Sequence, residues 1–445
     1  MKKIFQICAI VALLITAGFA QNAISLAQDK PAKSKPAAKK IKLEQGLHAR
    51  YKHAKFKDVP NFKSFIPDKV FKLPNIGLGF REHFDHYAVW FTGYIKIPES
   101  GKYTFTIASD SAAKLFIANQ AVMFKKPPAD QKKSYSYKAV KNDVKLPAGV
   151  YKFRLGYFEQ EGPEGIQLLV SSAKLKKQIV PSSWFYRNPN PKLPGKLKPV
   201  NPIDPRKNVR VTYDISAAPE KKEMAESIVK MIKKTYPKVI DVLIKDDFQA
   251  PSRVHVIFKK NQKYPAAALG NILFINLTWL DKHPGDIGMV AHELTHVVQG
   301  YPLNVFWIGE GIADYTRYKL GYQTWWSYPR CIPGKNHYKQ GYGTAAAFLM
   351  WIEKKYDKDL IPVLNKTVRD LQYTKAFFKE RTSKELDELW DEFIEDIKKN
   401  PLPVPPRPKK KAAAKANAKN NSHSNQLTQS ADFFISIANI SKRCD

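Results

Sequence analysis

Cysteine is scarce in this chain of 445 residues, and so are acidic residues and long apolar runs. Three cysteines are too few for a disulfide-built scaffold, although Cys331 and Cys444 could pair. Acidic residues number 40 against 74 basic ones, which leaves a net charge of +34. Beyond the N-terminus no apolar run approaches the roughly 20 residues that a membrane helix needs. We therefore expect no stable membrane insertion. The positive charge has to be explained by a binding partner or by the place where the protein resides.

Apolar residues are plentiful by contrast. They make up 44% of the chain, with 12% aromatic, which is enough to bury substantial cores and excludes a fibrous or wholly disordered protein. At about 150 residues per domain, the length predicts two or three domains.

The N-terminus has the pattern of a secretory signal peptide. Lys2 and Lys3 precede an apolar run over residues 4–19, and small residues offer cleavage sites after Ala20 or Ala27. A membrane anchor is the weaker alternative, because the run is short and no stop-transfer pattern follows. We assign residues 1–27 to a signal peptide and predict a secreted protein, extracellular or periplasmic. Export makes nucleic acid an improbable partner.

Three segments of biased composition divide the rest. Residues 28–45 are rich in Lys, Pro and Ala, residues 188–206 contain six prolines, and residues 400–445 form a basic tail of low complexity. Proline at that density forbids helix and central strand and favours an extended spacer. Two domains are therefore predicted, over 46–187 and 207–399. The basic excess indicates either plain solubility or retention on anionic polysaccharide or a cell surface.

The first domain is predicted to be all-β. Short runs rich in β-branched and aromatic residues alternate with turn residues, as in 87–97, 102–108, 150–158 and 166–170. In the second run Tyr103, Phe105 and Ile107 recur with the period of a strand. Many short strands at regular spacing favour a barrel or sandwich.

The order of these segments resembles the protective-antigen (PA14) domain, a β-barrel module of secreted proteins. The matching residues include Gly46-Leu47, residues 91–105, Ser109-Asp110 and residues 146–149. The resemblance implies carbohydrate or surface binding; a spacer without a ligand is the alternative. In sugar-binding members two adjacent acidic residues hold calcium. Here Asp110 is followed by Ser111, which puts a calcium site in doubt.

A metal-binding pattern occurs in the second domain. Asp286 is a plausible N-cap of a helix that ends at Gly300, and His292, Glu293 and His296 lie on that helix. Residues four apart project to one side, so both imidazoles can bind one zinc ion while Glu293 reaches a zinc-activated water. Two histidines that merely pack a helix are the alternative, and the motif alone does not exclude it.

A second helix supplies the missing context. It contains Glu310 and Asp314, again four apart, and is expected to end at Gly321. Catalytic zinc needs three protein ligands and an open position, and Glu310 suits the third. Zinc-bound histidines donate their other N–H group to a carboxylate, and Asp314 suits that role.

Residues 290–299 and 309–317 together look like the basic secretory proteins of plants and their bacterial relatives. The likeness extends over nearly all of 207–398 and implies a zinc metallopeptidase of the gluzincin type, with an α+β zincin-like fold and a His-His-Glu ligand set. The whole chain is then multidomain, a PA14-like β barrel or sandwich followed by this peptidase domain.

The expected reaction is peptide hydrolysis with Glu293 as general base. Tyr342, His337 and Tyr315 are candidates for a donor to the oxyanion, and Tyr342 is preferred because it lies in a family-like Gly-Tyr segment. We expect a peptide or protein substrate to add to an edge strand over 272–277. The alternative is a non-catalytic protein that binds cell surfaces or polysaccharide and has a structural or silent zinc site.

Overall fold

The computed structural model describes residues 24–25, 42–126, 138–161, 164–302, 305–324 and 327–402. The predicted signal peptide, apart from the backbone of residues 24–25, lies outside the described residues, and so do most of the first linker and the basic tail with Cys444. The described helices are all too short or too polar to traverse a bilayer.

Two sheets, antiparallel except for the pair β1–β9, form the first domain. One has the strand order β1-β9-β6-β11-β12, and the other has the order β2-β13-β5-β10-β7-β8, with β3 joining β4 to β5. The strands are β1 (Ile24–Ser25), β2 (Glu44–Gln45), β3 (Leu47–His53), β4 (Lys69–Leu73), β5 (Tyr87–Ile97), β6 (Gly101–Ser109), β7 (Ala113–Ile117), β8 (Gln120–Lys125), β9 (Lys138–Leu146), β10 (Gly149–Glu159), β11 (Ile166–Ser172), β12 (Gln178–Ile179) and β13 (Phe185–Arg187).

The core of this domain lies between the inner faces of the two sheets. Tyr103, Phe105 and Ile107 on β6 are 4%, 0% and 0% exposed and belong to this core, as the period of two predicted. Thr106 and Ala108, which point to the opposite face, are also buried, at 5% each. The all-β prediction is confirmed.

The second domain has one mixed sheet and eight α-helices within its described part. Its elements are β14 (Arg210–Asp214), α1 (Lys222–Leu243), β15 (Arg253–Lys259), β16 (Ala266–Leu269), β17 (Ile272–Asn276), α2 (Leu277–Lys282), α3 (Met289–Gln299), α4 (Phe306–Lys319), α5 (Tyr342–Lys355), α6 (Leu360–Arg369), α7 (Ala376–Thr382) and α8 (Leu386–Lys399). A β domain followed by an α+β domain was predicted and is confirmed.

The sheet of this domain has the strand order β14-β15-β17-β16, with only β16 antiparallel. The edge strand predicted over 272–277 is therefore wrong, because β17 pairs on both sides. The sequence Ala266–Leu269 is short and alanine-rich, and it gave no strand signal. β16 is the edge beside α3, and β14 is the opposite edge.

The proline-rich segment, predicted to be an extended spacer, contains no helix and only one bridge residue, and it is not a free spacer. Val200 pairs with β4 through two backbone hydrogen bonds of 2.8 and 2.9 Å. The domains also meet directly, since Arg81 donates to Asn271 at 2.7 Å and the Ser252 amide donates to the Gly79 carbonyl at 2.9 Å.

A pair of buried carboxyl groups lies inside the β domain. Asp110 and Glu159 are 6% and 2% exposed and hydrogen-bond to each other, and the Tyr157 hydroxyl donates to Glu159 at 2.7 Å. Burial first, and the charge of Asp110 second, raise the pKa of Glu159 to about 10. Glu159 therefore keeps its proton in the folded protein.

This proton makes the stability of the β domain pH-dependent. The unfolded chain releases it near pH 4.5, so the folded state is favoured fully below that pH and loses stability as the pH rises towards about 10. Glu159→Gln keeps the neutral hydrogen-bonding group. From about pH 5 to about pH 9 the parent should lose about 1 kcal/mol or more of unfolding free energy relative to the variant. Chemical denaturation at several pH values measures this.

The exposed Glu99→Gln, in the same domain, is the control and should follow the parent. Parallel stability curves for the parent and Glu159→Gln would show that Glu159 is ionised in the folded state, contrary to this expectation.

Candidate metal centre and active site

Helix α3 presents two imidazoles to one point. His292 and His296 are one turn apart, and their Nε2 atoms are separated by 3.2 Å. Tetrahedral ligands at zinc–nitrogen distances of about 2.0 to 2.1 Å stand about 3.3 Å apart, so the spacing suits a shared zinc ion. The helix ends at Gly300, whose φ of 56° supplies the left-handed C-terminal turn that was predicted.

Helix α4 brings a carboxylate to the same point. Glu310 Oε2 lies 3.1 Å from Nε2 of His292 and 3.6 Å from Nε2 of His296. In the described part of the chain these three residues form the one cluster with metal-ligand geometry, their donor atoms all within 4.8 Å of one another. No fourth His, Cys, Asp or Glu from that part joins them. Two nitrogens and one oxygen with an open side are the donor set of a catalytic zinc site.

The Nδ1 atom of each imidazole, which points away from the cluster, is also hydrogen-bonded. His292 Nδ1 lies 2.8 Å from Asp314 Oδ1, and His296 Nδ1 lies 2.7 Å from Gln299 Oε1. Since both oxygens accept, the Nδ1 atoms donate and the Nε2 lone pairs point to the cluster.

Gln299 is the functional residue that sequence reasoning missed. Its Nε2 donates to the Gly309 carbonyl at 3.0 Å, so one side chain orients His296 and ties α3 to α4 next to Glu310. The signal was available, because Gln299 follows His296 by three residues and so lies on the same helix face.

Glycine allows α4 to pack closely on α5. A Cβ atom at Gly311 would stand 2.7 Å from the Cβ of Ala345. The absence of a side chain there lets the helix that carries Glu310 lie directly against its neighbour.

Asp286 does not cap α3, contrary to the prediction. The helix begins at Met289 with Gly288 as its N-cap, while the buried Asp286 accepts hydrogen bonds from Arg317 and from Trp279 Nε1. A buried guanidinium competes successfully for this carboxylate, because both charges would otherwise lie unpaired in the core. Asp286 thus links the start of α3 to the end of α4.

Glu293 is buried beside the two histidines. It is 8% exposed, and within the described residues its carboxylate has neither a hydrogen-bond nor an ion-pair partner. Burial is the main cause that raises its pKa, against the lowering effect of His292 and His296. A buried acid without a partner is costly to the fold, which points to a role in chemistry.

The histidines and the carboxylates of the cluster shift one another's pKa values. Burial would lower the pKa of His292, but the hydrogen bonds to Asp314 and Glu310 outweigh it and raise that pKa. Burial would raise the pKa of Glu310, yet His296 and His292 hold it well below its usual value. A bound cation would take the place of the imidazole protons.

Tyr342 lies at the mouth of the cluster. Its ring stacks 6.1 Å from the His292 ring and is 50% exposed. Its φ of 49° is left-handed, a conformation that non-glycine residues rarely adopt and that clusters at functional sites. Burial first, then Glu310 and Glu293, raise the pKa of its hydroxyl, so the phenol keeps its proton and can donate.

Gly341 gives Tyr342 this position. Its φ is 75°, and a Cβ there would stand 3.0 Å from the Phe306 ring and 3.3 Å from the Glu310 Cβ. A side chain at 341 would therefore press on the helix turn that carries Glu310.

The two other oxyanion candidates lie elsewhere. His337 caps a short 3-10 helix, accepting from the Lys339 amide at 3.2 Å, and packs on Trp390. Tyr315 is 3% exposed, and its hydroxyl donates to Glu353 at 2.6 Å.

The acidic loop of the β domain fits calcium poorly. Asp110 already accepts from the Gly165 amide at 2.7 Å and shares a proton with Glu159. The buried Lys125 ammonium donates to the Ser111 carbonyl at 2.7 Å, so a cation belonging to the chain lies against this loop.

Family comparison agrees with both parts of the fold. Residues 44–184 match the PA14 domain family, and residues 282–393 match the family described as peptidase of plants and bacteria. The second match includes His292, Glu293, His296, Glu310 and Asp314. No curated protein is significantly similar to the chain.

Several solved structures are similar to part of the chain. An anti-sigma factor domain-containing protein from Clostridium clariflavum shares 24% identity over 34% of this chain and 50% of its own, with a TM-score of 0.27. The PA14 domain of the MpAFP antifreeze protein shares 15% identity over 36% of this chain and 96% of its own, with a TM-score of 0.28. A PA14 sugar-binding domain from an RTX adhesin shares 15% identity over 32% of this chain and 98% of its own, with a TM-score of 0.27.

The chain matches half the length of the first of these proteins. The chain therefore has an N-terminal β-rich PA14 region followed by a helical C-terminal domain that matches the family of peptidases of plants and bacteria.

Proposed function

We propose that this protein is a secreted, zinc-dependent peptidase whose metal ion is held by His292, His296 and Glu310. The donor set, its spacing and the two outer hydrogen bonds support zinc. The family match supports peptide-bond hydrolysis. Secretion rests on the N-terminal signal pattern of residues 1–27.

The observation that carries the catalytic proposal is Glu293. A structural metal site needs ligands only, whereas this carboxylate is buried beside the cluster with no partner among the described residues. A silent site would gain stability by replacing it with an apolar residue. The non-catalytic alternative leaves this side chain unexplained.

The proposed reaction divides the work between two side chains. Zinc, when bound, supplies a Lewis acid that lowers the pKa of water and polarises a carbonyl group. Glu293 accepts a proton from the water that attacks the scissile carbonyl carbon and delivers it to the leaving nitrogen. The Tyr342 hydroxyl donates to the carbonyl oxygen as negative charge develops there.

The substrate is proposed to lie along β16. Among the described residues this strand pairs only with β17, which leaves its outer edge without a strand partner, and it packs beside α3. An extended peptide can add to such an edge by backbone hydrogen bonds, which places its carbonyl groups near the metal helix.

The β domain is proposed to hold the peptidase on a carbohydrate or other surface. Its match to the PA14 family supports a carbohydrate partner, and the net charge of +34 favours an anionic one. Because Lys125 and the shared proton of Glu159 already balance the acidic loop, we propose that this binding does not use calcium.

Removing the base should stop hydrolysis and leave the metal in place. Glu293→Gln keeps the size of the side chain but cannot accept a proton, so kcat/KM on a peptide substrate should fall about 100-fold to 10,000-fold. Zinc content, measured by atomic absorption, should stay at one ion per chain.

Glu223→Gln, on the exposed face of α1, is the matched control and should behave like the parent. A chelator should abolish the parental activity, and added zinc should restore it. If the parent binds zinc but cleaves nothing in a broad peptide library, the surface-binding alternative is the better one.

Gln299 should contribute to metal affinity through His296. Gln299→Leu removes both the acceptor for His296 Nδ1 and the bond to Gly309, so the dissociation constant for zinc should rise about 10-fold to 100-fold. Competition with a chromogenic chelator measures it. Thr295→Val, also buried on α3 but bonded only to the Ala291 carbonyl, controls for general loosening of the helix. Equal losses in the two variants would contradict a specific role.

The Tyr342 hydroxyl should act on the transition state more than on substrate binding. Tyr342→Phe keeps the ring that stacks near His292, so KM should change less than about 3-fold while kcat falls about 10-fold to 100-fold. Tyr315→Phe removes a hydroxyl that is engaged by Glu353 and should leave kcat unchanged. A rise in KM alone for Tyr342→Phe would place the hydroxyl in ground-state binding instead.

A further inference from the structure

A second cavity lies between the two domains, away from the metal cluster. Its volume is about 550 Å³, and its walls come from β4, residues 80–82, residues 197–203 and the first residues of β14 and β15. β14 is one edge of the four-stranded sheet, whereas β16, beside the metal helix, is the other. The proposed peptidase reaction makes no use of this cavity.

Two arginines on neighbouring strands line the cavity. Arg210 on β14 and Arg253 on β15 are register partners, so two like charges lie directly opposite on neighbouring strands, which is unfavourable for the sheet. The Arg253 guanidinium lies 5.4 Å from the Phe84 ring, and its Nε is buried without a hydrogen-bond partner. Burial and then the charge of Arg210 lower the pKa of Arg253.

The carboxylates that line the cavity do not neutralise this pair. Asp68 accepts from Lys52 at 3.2 Å and from the His53 amide at 2.8 Å, and Glu82 pairs with Lys69 at 2.6 Å. Arg210, Arg253 and the lining residue Lys198 form no ion pair with any described residue. The cavity therefore has unbalanced positive charge.

The rest of the wall is largely apolar. It is formed by Val70, Phe71, Phe80, Leu197, Val200 and Ile203, of which Val200 and Ile203 are 46% and 38% exposed. A small inorganic anion would neutralise the positive charge but leave this apolar surface exposed to water. A ligand with an anionic head and an apolar body matches both parts of the wall.

We propose that this cavity binds an organic carboxylate with an apolar body, its carboxylate between Arg210 and Arg253 and its body against the apolar wall. Guanidinium groups bind carboxylates through paired hydrogen bonds, and the anion would relieve the repulsion between the two strands. The C-terminus of a peptide and a small free carboxylic acid share this chemistry.

The test compares ligands that differ in charge alone. Isothermal titration of the zinc-free full chain with N-acetyl-leucine and with N-acetyl-leucinamide should give at least about 10-fold tighter binding of the acid. Arg210→Ser should lose that preference and leave the weak binding of the amide unchanged. Arg210 is exposed, and replacing it removes its repulsion with Arg253. The melting temperature of the unliganded variant should therefore be no lower than that of the parent.

The control is Lys96→Ser, which replaces an exposed lysine on β5 of the β domain. This variant should keep the preference for the acid over the amide. A second arm uses the tetrapeptide Ala-Ala-Ala-Leu with a free or an amidated C-terminus. Binding of the free peptide at least as tight as that of N-acetyl-leucine identifies a peptide C-terminus as the ligand, and binding of the small acid alone identifies a free carboxylic acid. Equal binding of acid and amide, unchanged acid binding by Arg210→Ser, or binding of neither acid overturns the proposal.

Discussion

The close packing of α3 on α4 is the constraint on which the candidate site depends. The two histidines proposed as metal ligands come from the first helix and the proposed carboxylate ligand from the second, so an error of about 1 Å between the helices would spread the donors beyond metal–ligand distance. Gln299 prevents such an error, because the same amide holds His296 and the Gly309 carbonyl. Asp314 does the equivalent for His292 from the other helix. Each imidazole is thus fixed by a group whose position depends on the helix pair.

Helix α5 holds α4 in position. The contact of Gly311 with Ala345 sets how near α5 can lie to α4, and Gly341, at the start of α5, touches both Phe306 and the Glu310 side chain. Tyr342 begins α5 with a left-handed φ, so its ring leaves the helix towards His292 and not along the outer surface. The same packing that positions Glu310, the proposed third ligand, therefore positions the proposed donor to the oxyanion. Backbone strain at Tyr342 is tolerated because the neighbouring helices determine it.

Features that depend on contacts between residues close in sequence could be predicted, whereas features that depend on distant residues could not. The His292/His296 pair and the strand period at Tyr103, Phe105 and Ile107 are local, since helix and strand geometry alone decide them. The capping role assigned to Asp286 fails because Arg317, 31 residues away, competes for its carboxylate. The edge strand is misplaced for a similar reason, because strand order in a sheet is a long-range property and β16 has the composition of a loop or helix. Gln299 was within reach of local reasoning, since its helical spacing from His296 is enough to suggest the contact.

Two recesses of the described structure contain charged groups without an ion-pair partner. At the metal cluster the group is the buried Glu293 carboxylate, and at the domain junction it is the Arg210 and Arg253 pair. Elsewhere the fold deals with buried charge differently: Asp286 is paired with Arg317, Arg81 with Glu164, and Glu159 keeps a proton. Since these buried ions are satisfied where only stability is at stake, the Glu293 carboxylate and the Arg253 guanidinium are better explained by ligands that complete them. The two recesses lie at opposite edges of one four-stranded sheet, so a single scaffold positions both.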